Sequence, residues 1–114
     1  NLLALSTPVL FHGHTHVPAY WALRGGQASR IDIDGRAQPL LSPSLINVGS
    51  VGQPRDGDVR ASWVLWDRSD DGSGIGALGT VQWRRVHYDI ARTQSFVRAA
   101  GLPEFLAERL AAGH

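Results

Sequence analysis

Three histidines alternate along one short segment, His12, His14 and His16, with Gly13 following the first of them. A neutral imidazole offers a nitrogen lone pair, which makes histidine the commonest transition-metal ligand in proteins. Side chains two positions apart point the same way in an extended segment, so His14 and His16 can converge on one place. His12 has the same parity, but a positive φ at Gly13 would turn it away. The spacing leaves two interpretations open, a metal site and a histidine cluster without metal.

Two predicted strands lead into the segments that carry this chemistry. Residues 9–11 form an apolar run flanked by breakers, which predicts a short buried strand ending at the histidines. Residues 42–48 predict a second strand that runs into a glycine-rich loop, residues 49–54. Backbone N–H groups of such a loop can cradle a phosphate, but no Gly-Lys-Ser/Thr follows it. Arg55 comes next, and its guanidinium can pair with a substrate phosphate or with Asp56 or Asp58.

The remaining pattern is strand-rich and ends in helices. Alternating or branched apolar residues predict strands at 20–24, 29–34, 61–67 and 80–88, and residues 69–79 predict an exposed hairpin loop. Helices are predicted at 89–100 and 104–112. Antiparallel strands followed by helices indicate an α+β fold or the sheet-rich end of an α/β sandwich. We expect residues 1–114 to be part of one domain, with strands and loops at 1–88 and helices at 89–114.

Composition excludes several classes of function. Eleven basic residues face ten acidic ones, a net charge of +1, so no broad positive field draws in nucleic acid. The chain has no cysteine, which excludes disulfides and cysteine metal sites and is compatible with a cytoplasmic location. Its apolar runs stop after about one helical turn, far short of the ~20 residues of a membrane span.

The histidine segment resembles a known motif. Phe11-His12-Gly13-His14-Thr15-His16-Val17-Pro18 is similar to the Gly-His-x-His motif that closes the active site of calcineurin-like metallophosphoesterases. Residues 46–56 resemble the Asn-Pro-Gly-Ser loop of the family's small bacterial phosphatase and phosphodiesterase branch, with Val48 in place of the proline. Weaker similarity continues in the expected order through 60–63, 100–103 and 106–110.

The resemblance implies a fold, a reaction and site residues. The fold is a four-layer α/β/β/α sandwich, of which this chain would be the C-terminal part, mainly one sheet with its covering helices. The reaction is hydrolysis of a phosphate mono- or diester with two divalent ions, Mn, Fe or Zn. His14 would bind one ion and His16 the other, whereas no role carries over to His12. Gly13, Asn47 and Arg55 are expected to support the site or contact the substrate, and no catalytic residue is assigned.

None of the family's earlier motifs precedes the histidine segment in this sequence. Asp-x-His, Gly-Asp, Gly-Asn-His-Asp or -Glu and a further histidine would supply the other ligands. Two ions ~3.5–4 Å apart need several donors, so two histidines cannot hold them. We therefore expect the chain alone to be inactive, and to pair with its own N-terminal half or with a second copy. The alternative is a catalytically incomplete fragment or a non-catalytic binding module that keeps the fold.

Overall fold

The computed structural model describes residues 2–68 and 78–114, which contain seven strands and two α-helices. A short 3-10 helix, Leu2–Ala4, comes first. The strands are β1 (Val9–His12), β2 (Ala19–Arg24), β3 (Gln27–Ile31), β4 (Gln38–Pro39), β5 (Ser44–Asn47), β6 (Ala61–Asp67) and β7 (Thr80–Val86). The helices are α1 (Ile90–Ala99) and α2 (Glu104–Ala112). None of the described helices is long and apolar enough to cross a membrane.

The strands divide between two sheets. Sheet A has the order β1-β5-β2-β3, and sheet B has the order β4-β7-β6. The α/β class is confirmed, although the strands lie in two sheets where the resemblance implied mainly one. The expectation of antiparallel strands holds for every pair except β1 and β5, which run parallel. The β2–β3 hairpin lies between β1 and β5 in the chain, so β5 returns beside β1 by a crossover.

The core lies between the two sheets. Tyr20 and Ile46 of sheet A are fully buried and cluster with Val81 and Trp83 of sheet B. The rings of Tyr20 and Trp83 lie 5.7 Å apart, and the Trp83 indole Nε1 donates to the Asn47 carbonyl at 3.0 Å. Sheet B is thereby attached to the end of β5, which is the strand that leads into the glycine-rich loop.

Several strand bounds differ from the prediction by one or two residues, and the largest differences concern β3 and β4. The strand predicted at 29–34 is β3, Gln27–Ile31, because it starts directly after the turn at Gly25-Gly26, where Arg24 pairs with Gln27. Both glycines have positive φ, as two-residue hairpin turns require. Strand β4 has only two residues, too few for a periodicity, and was not predicted. Most of the predicted loop at 69–79 falls at 69–77, outside the described residues.

The helices begin and end where local signals place them. The Asp89 carboxylate accepts a hydrogen bond from the Arg92 amide at 2.9 Å and so caps α1. Gly101 follows α1 with φ +68°, as expected for a residue that ends a helix. Gly113 ends α2 in the same conformation, and its carbonyl accepts from the Gly57 amide at 3.0 Å. The end of α2 is therefore fixed on the loop around Gly57.

Candidate metal site at the ends of two parallel strands

Two loops begin side by side at the carboxyl ends of β1 and β5. His12 and Asn47 are register partners at the ends of these parallel strands, and the Val48 amide donates to the His12 carbonyl at 3.1 Å. The histidine loop (residues 13–18) and the glycine loop (residues 48–54) thus leave the sheet as neighbours. Carboxyl ends of parallel strands are where open α/β sheets bind their ligands.

The backbone of the histidine loop is strained at both candidate ligands. His14 has φ +73° and His16 has φ +62°, a region that non-glycine residues seldom occupy. The Thr15 amide donates to the Gly13 carbonyl at 3.0 Å, so His14 is the centre of a γ-turn of the rarer, strained hand. The premise of an extended segment is therefore wrong here. Strain of this kind costs on the order of 1–3 kcal/mol per residue and concentrates at functional sites.

The ring of His16 is held in one orientation. Its Nδ1 lies 2.7 Å from the main-chain carbonyl of Gln53 in the glycine loop. A carbonyl oxygen only accepts, so Nδ1 carries a hydrogen, and in the neutral ring Nε2 then keeps its lone pair. Metal-binding histidines are typically oriented in this way by a partner on the other ring nitrogen. The Arg55 amide also donates to the His16 carbonyl at 3.2 Å, which fixes the backbone of the same residue.

The other two histidines have different surroundings. The side chain of His14 is exposed, and its ring makes no hydrogen bond to the described residues. His12 is partly buried at the end of β1, and its Nδ1 lies 3.1 Å from the carbonyl of Gly13. Gly13 does not have the positive φ that was expected to turn the chain. The change of direction comes from His14 instead, one residue later.

Asn47 connects the two loops from the interior. It is 2% exposed, and its amide nitrogen donates to the Gly13 carbonyl at 3.1 Å and to the Thr15 hydroxyl at 2.7 Å. Its side-chain oxygen accepts from the Gly49 amide at 2.9 Å. Both N–H groups of the side-chain amide and one of its two oxygen lone pairs therefore form hydrogen bonds with the two loops.

Arg55 lies directly after the glycine loop and is exposed. Its Nη2 donates to the side-chain oxygen of Gln53 at 3.0 Å. Within the described residues it forms no ion pair with Asp56 or Asp58, which are occupied by other arginines. Of the two interpretations of Arg55, pairing with these aspartates is therefore not the one observed.

The two aspartates that follow the glycine loop form ion pairs with other arginines. Asp56 is paired with Arg85, and Asp58 is paired with Arg60 at 2.6 Å and lies 3.7 Å from Arg85. The Arg60 guanidinium, together with its backbone amide, holds the pKa of the Asp58 carboxyl far below its usual range. These pairs attach the segment after the glycine loop to sheet B.

Replacing Asp58 by asparagine is expected to destabilise the chain at neutral pH, with a loss that shrinks in acid. A carboxyl whose pKa is lowered by folding contributes its full stability above the unfolded value of about 4. That contribution declines as the pH falls below about 4 toward the folded value. Thermal unfolding of parent and variant should therefore differ by a constant amount from pH 5 to 8 and converge in more acidic buffer. A difference that grows below pH 4 would contradict the assignment.

A groove of about 760 Å³ adjoins the end of the histidine loop. It is lined by Pro18, the segment 30–35, Trp83 and the paired side chains of the 56–60 region. Neither His14 nor His16 lines it. The two candidate metal ligands therefore lie on the strained histidine loop and do not line this groove.

The described residues fit part of a metal site. Imidazole nitrogens suit Zn and Fe, and the free Nε2 of His16 is the donor that a metal requires. The part of the chain that the structure describes contains no group of three or more His, Cys, Asp or Glu side chains placed to hold an ion. His14 and His16 can accordingly act as two donors of a larger set.

Two features of the site were not found by sequence reasoning. The Gln53 carbonyl that orients His16 belongs to the main chain, which any residue type supplies, so no side-chain pattern can mark it. The Thr15 hydroxyl accepts from both Asn47 and the Val17 amide. Its position between two histidines was visible, but its acceptor role depends on a residue 32 positions away.

Comparison with known proteins finds a relative with a named function and a relative that is uncharacterized. No protein-family model matches the sequence. A metallophosphoesterase from Sphaerobacter thermophilus, known from its crystal structure, is 40% identical with a TM-score of 0.77, over 100% of this chain and 45% of that one. An uncharacterized protein of Methanocaldococcus jannaschii is 33% identical over 108 residues, which are 92% of this chain and 39% of that protein. The chain thus spans less than half the length of either. The whole-chain match to a metallophosphoesterase at 40% identity, together with the two-sheet α/β architecture, supports the identification of this chain as a fragment of a calcineurin-like metallophosphoesterase.

Proposed function

We propose that this chain supplies the two-histidine part of the metal centre of a phosphoesterase that hydrolyses phosphate mono- or diesters. The observation that carries the proposal is the His16 ring, with Nδ1 bonded to the Gln53 carbonyl and Nε2 left as a donor. His14, exposed in a strained turn two residues earlier, is the second donor. Each would bind one of two divalent ions, with Mn, Fe and Zn as candidates. Such ions supply Lewis-acid stabilisation of the charge that develops on phosphoryl oxygens.

The neighbouring residues support this role. Gly13 and Asn47 hold the histidine loop against the glycine loop through the bonds described above. Arg55 is the proposed phosphate contact, because its guanidinium is exposed and is steadied on one side by Gln53. A guanidinium has five N–H donors, and those not used on Gln53 are free to bind two phosphate oxygens.

The remaining metal ligands are proposed to come from the other part of the domain. Two imidazoles cannot hold a pair of ions, and the described residues offer no third ligand beside them. The named relative has more than twice the length of this chain, which leaves room for those ligands.

The activity of a chimera tests the proposed function. The matched segment of the Sphaerobacter thermophilus protein is replaced by this chain, and hydrolysis of an aryl phosphate is measured with Mn²⁺. We expect turnover by the chimera, loss of turnover in its His14→Ala variant, and none by the 114-residue chain alone. Turnover by the isolated chain, abolished by the same substitution, would show that a complete centre forms without the other part.

An uncovered apolar surface supports pairing with a partner. Trp63 and Leu65 of β6 and Val86 of β7 share one face of sheet B and are exposed. Phe96 of α1 and Phe105 of α2 are 61% and 57% exposed. Large apolar side chains exposed together mark surfaces that another chain or segment covers. We propose the missing part of the domain as the natural partner, with a second copy as its substitute when the chain is alone.

Sedimentation of the isolated chain is expected to show self-association. The exposed apolar residues should drive dimers or larger species at micromolar concentration, and Trp63→Glu should shift the distribution toward monomer. A well-behaved 12.3 kDa monomer that binds no hydrophobic dye would contradict the expectation.

The alternative function is a non-catalytic binding module. It is favoured by the absence of a third candidate ligand among the described residues. An inactive chimera that still folds and takes up no metal would support this alternative over the phosphoesterase.

A further inference from the structure

We propose that Asn47 is a positioning residue that sets the conformation of the histidine loop and thereby aims both metal-binding rings. The inference rests on the proposed function for its chemical meaning. Asn47 would hold the two histidine rings in their metal-binding orientation before a metal ion binds.

The two hydrogen bonds that Asn47 donates end on the two neighbours of His14. Gly13 and Thr15, the residues immediately before and after His14, provide the two acceptors of the Asn47 amide nitrogen, at 3.1 and 2.7 Å. His14 between them has φ +73°. A strained conformation persists only where its surroundings over-determine it. Asn47 holds this turn at both ends.

The side-chain oxygen of Asn47 contacts the glycine loop. The Asn47 oxygen accepts from the Gly49 amide, which opens the glycine loop. Near the end of that loop, the Gln53 carbonyl accepts a hydrogen bond from the His16 ring. Arg55, the residue after the loop, donates its backbone amide to the His16 carbonyl. One buried amide therefore restrains His14 directly and His16 through the glycine loop.

Only an amide side chain fits position 47. Asn47 must donate two hydrogen bonds and accept one in a site that is 2% exposed. Aspartate would place a charge against the Gly13 carbonyl. An apolar residue would leave the buried Gly49 amide without its acceptor, which is costly, and would remove the donor that Gly13 and Thr15 share. Asparagine meets this requirement because its side-chain amide both donates and accepts hydrogen bonds.

The experiment uses the full 114-residue chain labelled with ¹⁵N. Ring-nitrogen shifts report the tautomer and contacts of His14 and His16 without metal, and titration with Zn²⁺ alone reports the affinity at each ring. Thr15→Val removes one acceptor of the Asn47 amide at an exposed site, where unfolding is not expected. Thr15→Ser restores the hydroxyl, and Asn47→Ala removes the clamp entirely. Ser62→Ala is the matched control, because it removes a buried hydrogen bond to the Val48 carbonyl, and the Ser62 side chain forms no hydrogen bond with the described residues of the histidine loop.

We expect Asn47→Ala and Thr15→Val to shift the ring signals of His14 and to weaken Zn²⁺ binding about tenfold or more, as loss of a ligand-orienting partner does. Thr15→Ser and Ser62→Ala should keep the parental signals and affinity. If Asn47→Ala fails to fold, the two Thr15 variants decide the matter. Unchanged rings in Thr15→Val, or equal effects of Asn47→Ala and Ser62→Ala, would overturn the inference. If instead the rings respond as expected but His14→Ala leaves Zn²⁺ binding intact, the inference stands and the proposed metal role fails.

Discussion

Replacement of Gly49 by alanine is expected to lower the free energy of unfolding by about 2–5 kcal/mol, the sum of a left-handed backbone penalty and overpacking. Gly49 has φ +81°, and a Cβ there would lie 2.6 Å from the Ser62 Oγ and 2.9 Å from the Pro18 Cγ. The Ser62 hydroxyl is held on the Val48 carbonyl at 2.8 Å, so it cannot move away without losing that bond. Chemical denaturation of parent and variant measures the difference.

Gly52→Ala is the matched control for this prediction. Gly52 lies in the same loop, has no positive φ, and a Cβ there would meet nothing within 4 Å. We expect its stability to stay within about 0.5 kcal/mol of the parent. Equal denaturation midpoints for the two variants would mean that the glycine loop does not pack on Ser62 and Pro18 as described.

Removal of either candidate ligand is expected to abolish metal binding in the chimera with the Sphaerobacter thermophilus protein. Loss of a partner that merely orients a ligand costs about 10–100-fold in affinity, so loss of the imidazole itself should cost on the order of 100-fold or more. His14→Ala and His16→Ala should both show this, and turnover should fall with metal content. Elemental analysis of the purified variants, side by side with kinetics, makes the measurement.

His12→Ala is the internal control. His12 belongs to β1, and its ring nitrogen lies near its own neighbour's carbonyl instead of the glycine loop. We expect metal content close to that of the parent chimera, with effects limited to local packing. An emptied site in His12→Ala, with metal retained in His16→Ala, would show that the ligand assignment is wrong.

The elements themselves were readable from local sequence. Strand β6 at Ala61–Asp67 and helix α2 at Glu104–Ala112 have the predicted bounds, because branched and aromatic residues, Pro103 and helical spacing act over a few residues. Strand β3 was placed two residues late, since its start is set by pairing across the Gly25-Gly26 turn. Register is a property of two strands, and one strand's pattern does not contain it.

For the site, the sequence by itself determined which residue types are present and in what order. The spacing of His14 and His16 marked the donors, and the family motif gave their expected roles. Tertiary structure alone decided that β1 and β5 run parallel, which brings Asn47 beside His12 and closes the histidine loop on the glycine loop. It also decided the left-handed backbone at both histidines and the Gln53 carbonyl on the His16 ring. These depend on hydrogen bonds between residues 32 to 37 positions apart, whose formation requires the sheets to assemble first.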